Sequence, residues 1–154
     1  MPARVLFLCT GNSARSQMAE GLLRHFAGDR FEVFSAGLDP KPVNPYAIQA
    51  MREIGIDISN HQSKSVMDYL GHVHMSYVIT VCSNAEERCP IFPFSTQRIH
   101  WPFEDPAAFV GSEAETLAKF CEVRDLISAR LQLWLNEQGI TPQALPASPP
   151  IAHN

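Results

Sequence analysis

Residues 4–16 read RVLFLCTGNSARS, and this stretch decides the fold. Val5, Leu6, Phe7 and Leu8 form an unbroken apolar run, as expected of a strand covered on both faces in a parallel sheet. A polar turn follows, Thr10-Gly11-Asn12-Ser13. From Ala14 to Phe26, Met18, Leu22 and Phe26 then recur at helical spacing. Strand, tight loop and helix open a βα unit, which puts Cys9 at the strand's carboxyl end, the edge where α/β sheets bind ligands.

The alternation continues downstream. Phe31 to Ser35 reads as a second strand closed by Ala36-Gly37, and Pro40, Pro42 and Pro45 mark a loop. Pro45 suits the start of a helix through Ile48, Met51 and Ile54 that stops at Gly55. A short helix is expected around Val66 to Leu70, a third strand at Tyr77 to Val81 and a short fourth at Arg98 to Trp101. Glu113 to Gln138 carries Leu117, Phe120, Val123, Leu126, Ile127, Leu131 and Trp134 at helical spacing, with Gly139 as its stop. The expected class is an α/β sandwich around a parallel sheet, with residues 1–138 as one catalytic domain. Residues 139–154, rich in proline with little to bury, are expected to form a tail without fixed structure.

With 45% hydrophobic and 18% charged residues the chain has the composition of a packed globule. A net charge of −4 argues against nucleic acid or an anionic membrane as partner, so an anionic ligand must be attracted locally. The apolar run from Val5 to Leu8 is too short for a signal-peptide core, and nothing approaches the ~20 apolar residues of a membrane span. The expectation is a cytoplasmic protein. In that reducing setting Cys9, Cys82, Cys89 and Cys121 are thiols rather than permanent staples. No metal site is expected, because six residues separate Cys82 from Cys89 without a second close ligand pair, and His72-x-His74 has no ligand cluster beside it. Cys121, inside the long helix, reads as a packing residue. Nucleophilic or redox chemistry remains.

Cys9 and Arg15 stand in a Cys-x5-Arg spacing. A loop of that length can curl so that successive N–H groups point inward and make an anion nest at a helix start. Thr10, Gly11, Asn12, Ser13, Ala14, Arg15 and Ser16 are therefore the expected substrate-binding residues. Gly11 permits unusual torsions and Asn12 tolerates left-handed ones. The planar fork of Arg15 matches two oxygens of phosphate or arsenate. So positive a setting favours a thiolate at Cys9, and a hydroxyl from Ser13 or Ser16 would moderate it.

CTGNSARSQMAEG, the FSAG at Phe34 to Gly37 and the pair Asp105-Pro106 together resemble the low-molecular-weight tyrosine phosphatase superfamily, over nearly the whole chain from Ala3 to the end of the long helix. The resemblance implies a three-layer sandwich with a four-stranded parallel sheet, Cys9 as nucleophile, Arg15 as oxyanion clamp and Asp105 as general acid. VCSNAEERCP, residues 81–90, is similar to the redox segment of thioredoxin-coupled arsenate reductases. That likeness implies an oxidoreductase turning arsenate into arsenite by a relay of Cys9, Cys82 and Cys89, recharged by thioredoxin or another thiol carrier, with no tightly bound cofactor. In such reductases a potassium ion supports the loop through positions matching Asn12, Glu20 and Ser35 plus an aspartate. Here that aspartate position holds Lys64, whose ammonium can pair with Glu20, so potassium is not expected. Two other readings stay open. One is a phosphatase using Cys9, Arg15 and Asp105, with the further thiols serving redox protection. The other is an oxyanion-binding regulator without catalysis.

Overall fold

The computed structural model describes residues 2–83 and 97–146. Four strands, β1 (Ala3–Cys9), β2 (Phe31–Gly37), β3 (Tyr77–Thr80) and β4 (Gln97–His100), form one sheet in the order β2-β1-β3-β4, every neighbouring pair parallel. Helices α1 (Arg15–Ala27), α2 (Pro45–Glu53) and α3 (Glu113–Glu137) and 3-10 turns at Val66–Asp68 and Pro106–Ala108 complete the described elements. This is the expected α/β class. Element bounds differ from the sequence expectations by a residue or two at the ends, as fraying termini do.

β1 lies between β2 and β3, and Val5, Leu6, Phe7 and Leu8 are all fully buried, which explains the unbroken apolar run. The register pairs Val5 with Val33 and Tyr77, and Phe7 with Ser35 and Ile79, so these share one face. On that side Trp134 of α3 packs on Phe31 (ring centroids 5.4 Å apart) and Tyr77 (5.2 Å). Leu6, Phe34 and Val78 point the other way, where Phe34 meets Tyr69 beyond the first 3-10 turn (5.4 Å). Met18, Leu22 and Phe26 of α1 are buried, as their spacing requires.

The tail does not follow its expectation as far as Pro146. Gly139 (φ +75°) turns the chain out of α3, with Ile140 N–H bonded to Leu135 O (2.8 Å) and Gly139 N–H to Asn136 O (3.0 Å), a Schellman stop. The next residues reach α1. Gln143 N–H caps Phe26 O (2.8 Å), His25 Nε2–H donates to Ala144 O (2.7 Å), and Leu145 packs on the core. A helix end leaves carbonyls unbonded, and this segment satisfies one of them. Such a reward is invisible to composition.

Candidate active site

The loop between β1 and α1 is shaped from outside. The carbonyl of Cys9 accepts from Leu38 N–H (3.2 Å), Thr10 O from Asp39 N–H (2.8 Å), Gly11 O from Lys41 N–H (2.9 Å) and Ser13 O from Asn44 N–H (2.9 Å). Asn12 O accepts from Gln17 Nε2 (3.0 Å), with Ser63 Oγ also in range (2.8 Å). A peptide unit is planar and trans, so each carbonyl held outward turns the following N–H inward. Asn12 N–H, behind the Gly11 carbonyl that Lys41 holds outward, meets Cys9 Sγ at 3.3 Å. The ladder needs the end of β2 close against the loop. A Cβ built on Gly37 would stand 2.8 Å from Asn12 N and from Thr10 O, so only glycine fits there.

Asn12 is the inner brace. Its φ of +48° is left-handed, a region asparagine tolerates, and the residue is fully buried. Lys64 N–H donates to Asn12 Oδ1 (2.8 Å), which fixes the amide's orientation. Nδ2 then donates to Ser16 Oγ (2.8 Å) and Ser35 Oγ (2.9 Å). Ser16 Oγ lies 2.9 Å from Cys9 Sγ, and toward a thiolate its proton can only be donated. Ser35 in turn donates to Glu20 Oε1 (2.5 Å). Glu20, 5% exposed, is no solvated helix charge: Arg24 Nη2 stands 2.7 Å from Oε2 and Lys64 Nζ 3.8 Å from Oε1. Burial draws the Lys64 pKa down, with Glu20 opposing.

Asn12, Glu20 and Ser35 thus lie together as their resemblance to a potassium site implies, but their donors are spent otherwise. Asn12 presents N–H groups to Ser35, its oxygen is taken by Lys64 N–H, and Glu20 is held by Arg24 and Ser35. A hard cation needs free oxygen ligands, so this set does not fit potassium.

A cavity of ≈ 470 Å³ opens over the loop, lined by Cys9, Thr10, Gly11, Ser13, Ala14, Arg15, Lys41, Cys82, Ser83, Phe103, Asp105 and Ala107. Most of the expected site residues therefore meet in one place. Asn12 and Ser16 lie behind the wall, both fully buried, and act on the loop and the sulfur. Arg15 Nη1 donates to Phe103 O (3.0 Å), and Nη2 is 3.8 Å from Asp105 Oδ2. Asp105, which lines the cavity, caps the second 3-10 turn by accepting Ala107 N–H on Oδ1 (3.0 Å), leaving Oδ2 on the Arg15 side. Cys82 follows β3, beside β1, and its sulfur is 3.4 Å from Thr10 Oγ1. Cys89 falls outside the described residues. Among the described residues no His/Cys/Asp/Glu cluster could hold a metal, and no helix is long and apolar enough to cross a membrane.

His61 and His100 do not reach the cavity. His61 Nδ1–H donates to Gln17 Oε1 (2.9 Å), and His100 Nδ1 pairs with Thr80 Oγ1 (2.8 Å). Cys121 sits elsewhere, 3.7 Å from Glu53 Oε1, and burial pushes its thiol pKa up. Sequence reading missed Gln17, Lys41 and Arg24. Only for Arg24 was there a signal, its i,i+4 spacing from Glu20 on α1.

Residues 4–144 match the family model for low molecular weight phosphotyrosine protein phosphatase. A protein named arsenate reductase from Bacillus subtilis is 46% identical over 129 residues, 83% of this chain and 91% of that one. A solved structure described as an arsenate reductase in the phosphate binding state superposes with TM-score 0.75 at 30% identity, covering 88% of this chain and 98% of that chain. The thioredoxin-dependent arsenate reductase of Corynebacterium glutamicum superposes with TM-score 0.58 at 28% identity, over 86% of this chain and 63% of that one. The match to that family model across nearly the whole length leads to one conclusion: this chain belongs to the low molecular weight phosphotyrosine protein phosphatase family.

Proposed function

We propose that this chain reduces arsenate to arsenite, using Cys9, Cys82 and Cys89 in succession and thioredoxin as electron donor. The Cys9 thiolate attacks arsenic, and one arsenate oxygen leaves as water with a proton from Asp105. Arg15 and the inward amides hold the remaining oxygens. The Cys82 thiolate then attacks Cys9 Sγ; the sulfur–arsenic bond breaks, its electron pair stays on arsenic, and arsenite leaves behind a Cys9–Cys82 disulfide. Cys89 attacks Cys82, freeing Cys9 as a thiolate, and a dithiol carrier reduces the Cys82–Cys89 pair. In balance, a dihydrogen arsenate anion, a pair of thiols and a proton become arsenous acid, a disulfide and a water.

The observation that carries this reading is that Cys9 and Cys82 line one cavity. Phosphoester hydrolysis has no use for the second sulfur, whereas two-electron reduction requires it. Adjacent strands lie ~4.8 Å apart, compatible with the ~4.4–6.8 Å between Cα atoms of a disulfide. The relatives' activity and the thioredoxin dependence of one structural neighbour support substrate and donor. We also propose that Arg24 and Lys64 supply the positive charge beside Glu20, so that the enzyme works without potassium.

The test couples arsenate reduction to thioredoxin, thioredoxin reductase and NADPH. Arsenate-dependent NADPH loss is expected, none with Cys9→Ser, and a single turnover with Cys89→Ser. Sustained turnover by Cys89→Ser overturns the relay. Aryl phosphate cleavage without arsenate reduction overturns the whole reading in favour of a phosphatase.

A further inference from the structure

Lys41 is fixed at the mouth of the Cys9 cavity by the ladder that shapes the loop. Its N–H bonds Gly11 O (2.9 Å), and its carbonyl is in hydrogen-bond range of Ser63 Oγ. Pro40 and Pro42 flank it. Each proline locks its own φ, and Pro42 confines Lys41 to extended torsions, so the backbone under this side chain has little freedom. The side chain runs along the loop: Lys41 Cβ and Cδ both lie 3.8 Å from where a Cβ on Gly11 would stand. Both are ordinary van der Waals distances, so the lysine stem packs along the loop at Gly11 without crowding it.

Among the described residues that line this mouth, the uncommitted positive charge is this residue's. Arg15, the other cation of the lining, has a side chain 13% exposed and already engaged by Phe103 O and Asp105. The Asp105 side chain is 45% exposed at the same opening and is negative when ionised, on a protein of net charge −4. No ion pair ties up Lys41 among the described residues. An incoming dianion would meet Asp105 first if the lysine were absent, and like charge at the rim of a cleft lowers capture.

We propose that Lys41 is the capture cation of this site: it draws a free tetrahedral oxyanion to the mouth and sets its affinity before Arg15 and the loop amides take it over. The choice of arsenate rests on the function proposed above, but the anion class does not. Because it acts from the exposed rim, its effect falls on binding and is screened by salt over a Debye length of ~10 Å at 0.1 M.

The experiment compares wild type, Lys41→Met and Lys41→Arg in two assays. In the first, alkylation of Cys9 by iodoacetamide, followed by mass spectrometry of its peptide, is titrated with inorganic phosphate. The half-protecting concentration does not depend on the absolute alkylation rate. In the second, KM and kcat for arsenate are measured in the thioredoxin-coupled system. At low ionic strength Lys41→Met should need roughly fivefold more phosphate and show a KM raised by roughly the same factor, with kcat changed less. Lys41→Arg should restore both, and raising salt to about 0.5 M should bring wild type and Lys41→Met together. An unchanged half-protecting concentration overturns the proposal. So does a defect that persists at high salt or that arginine fails to rescue, since either marks a packing role. If wild type reduces no arsenate while phosphate protection still depends on Lys41, the function proposed above fails and the capture cation stands.

Discussion

Replacing Asn12 tests whether the Cys9 loop is held from behind. Asn12→Ala removes three contacts: Lys64 N–H to Oδ1, and Nδ2 to Ser16 and to Ser35. They are not equal. Ser16 keeps Cys9 and Ser35 keeps Glu20, so each hydroxyl loses one of two partners, about 0.5–1 kcal/mol apiece. Lys64 N–H keeps no other partner among the described residues and costs about 1–2 kcal/mol, toward the low end because Lys64 is only half-buried. Left-handed φ adds about 1 kcal/mol for alanine, a cost that glycine escapes. Asn12→Ala should therefore destabilise by about 3–5 kcal/mol and Asn12→Gly by about 1 kcal/mol less, read from urea unfolding at matched m-values. Both should slow Cys9 alkylation, since Ser16 loses the donor that orients its own proton toward the sulfur. Asn12→Ala within 0.5 kcal/mol of wild type, or less stable than wild type by no more than Asn12→Gly is, would refute the reasoning about brace and torsion.

Three further perturbations probe other parts of the same frame. Wild-type turnover should be equal in sodium and potassium buffers of one ionic strength; selective stimulation by potassium would show that Arg24 and Lys64 leave Glu20 open to a cation. Gly37→Ala should unfold at lower denaturant and lose most activity, because the new methyl would press on loop backbone at 2.8 Å and overpacking costs about 1–3 kcal/mol or more; normal activity would mean the loop moves freely away from β2. His61 should titrate below its ordinary pKa of 6.5. Burial disfavours the imidazolium first, Glu20 at 3.7 Å favours it, and Arg24 and Lys64 oppose it. Its Nε2 also faces Arg24 Nη1 at 3.3 Å and must accept there, as only the neutral ring can. With the folded value below the unfolded one, this stabilisation is complete above about pH 6.5 and drains as pH falls through the folded value. An NMR midpoint above 6.5 would mean Glu20 dominates.

What was legible in the sequence divides along the reach of the interactions. Cys9, Arg15 and the turn between them could be read because strand end, loop and helix start are local, and the torsional demands fall on residues suited to them, Gly11 and Asn12. Cys82 could be read at longer range because parallel strands share a carboxyl edge: carried past β3, the register sets Val81 beside Cys9 and Cys82 beside Thr10, whose Oγ1 lies 3.4 Å from its sulfur. The donors of the carbonyl ladder carry no such signature. Leu38, Asp39, Lys41 and Asn44 contribute backbone N–H groups, which every residue but proline owns, and the ladder passes over Pro40 and Pro42 because they have none. From sequence those prolines mark only a loop; in the fold they set which amides can reach the active-site loop and hold the lysine between them at its rim. The same holds for the tail, where a proline-rich run is kept in place by an amide that an α1 carbonyl needed, a carbonyl that His25 reaches and two apolar side chains, Ile140 and Leu145, packed on the core. Side-chain chemistry announces itself in a sequence, but the backbone bonds that aim it become visible only when the sheet register brings two distant segments side by side.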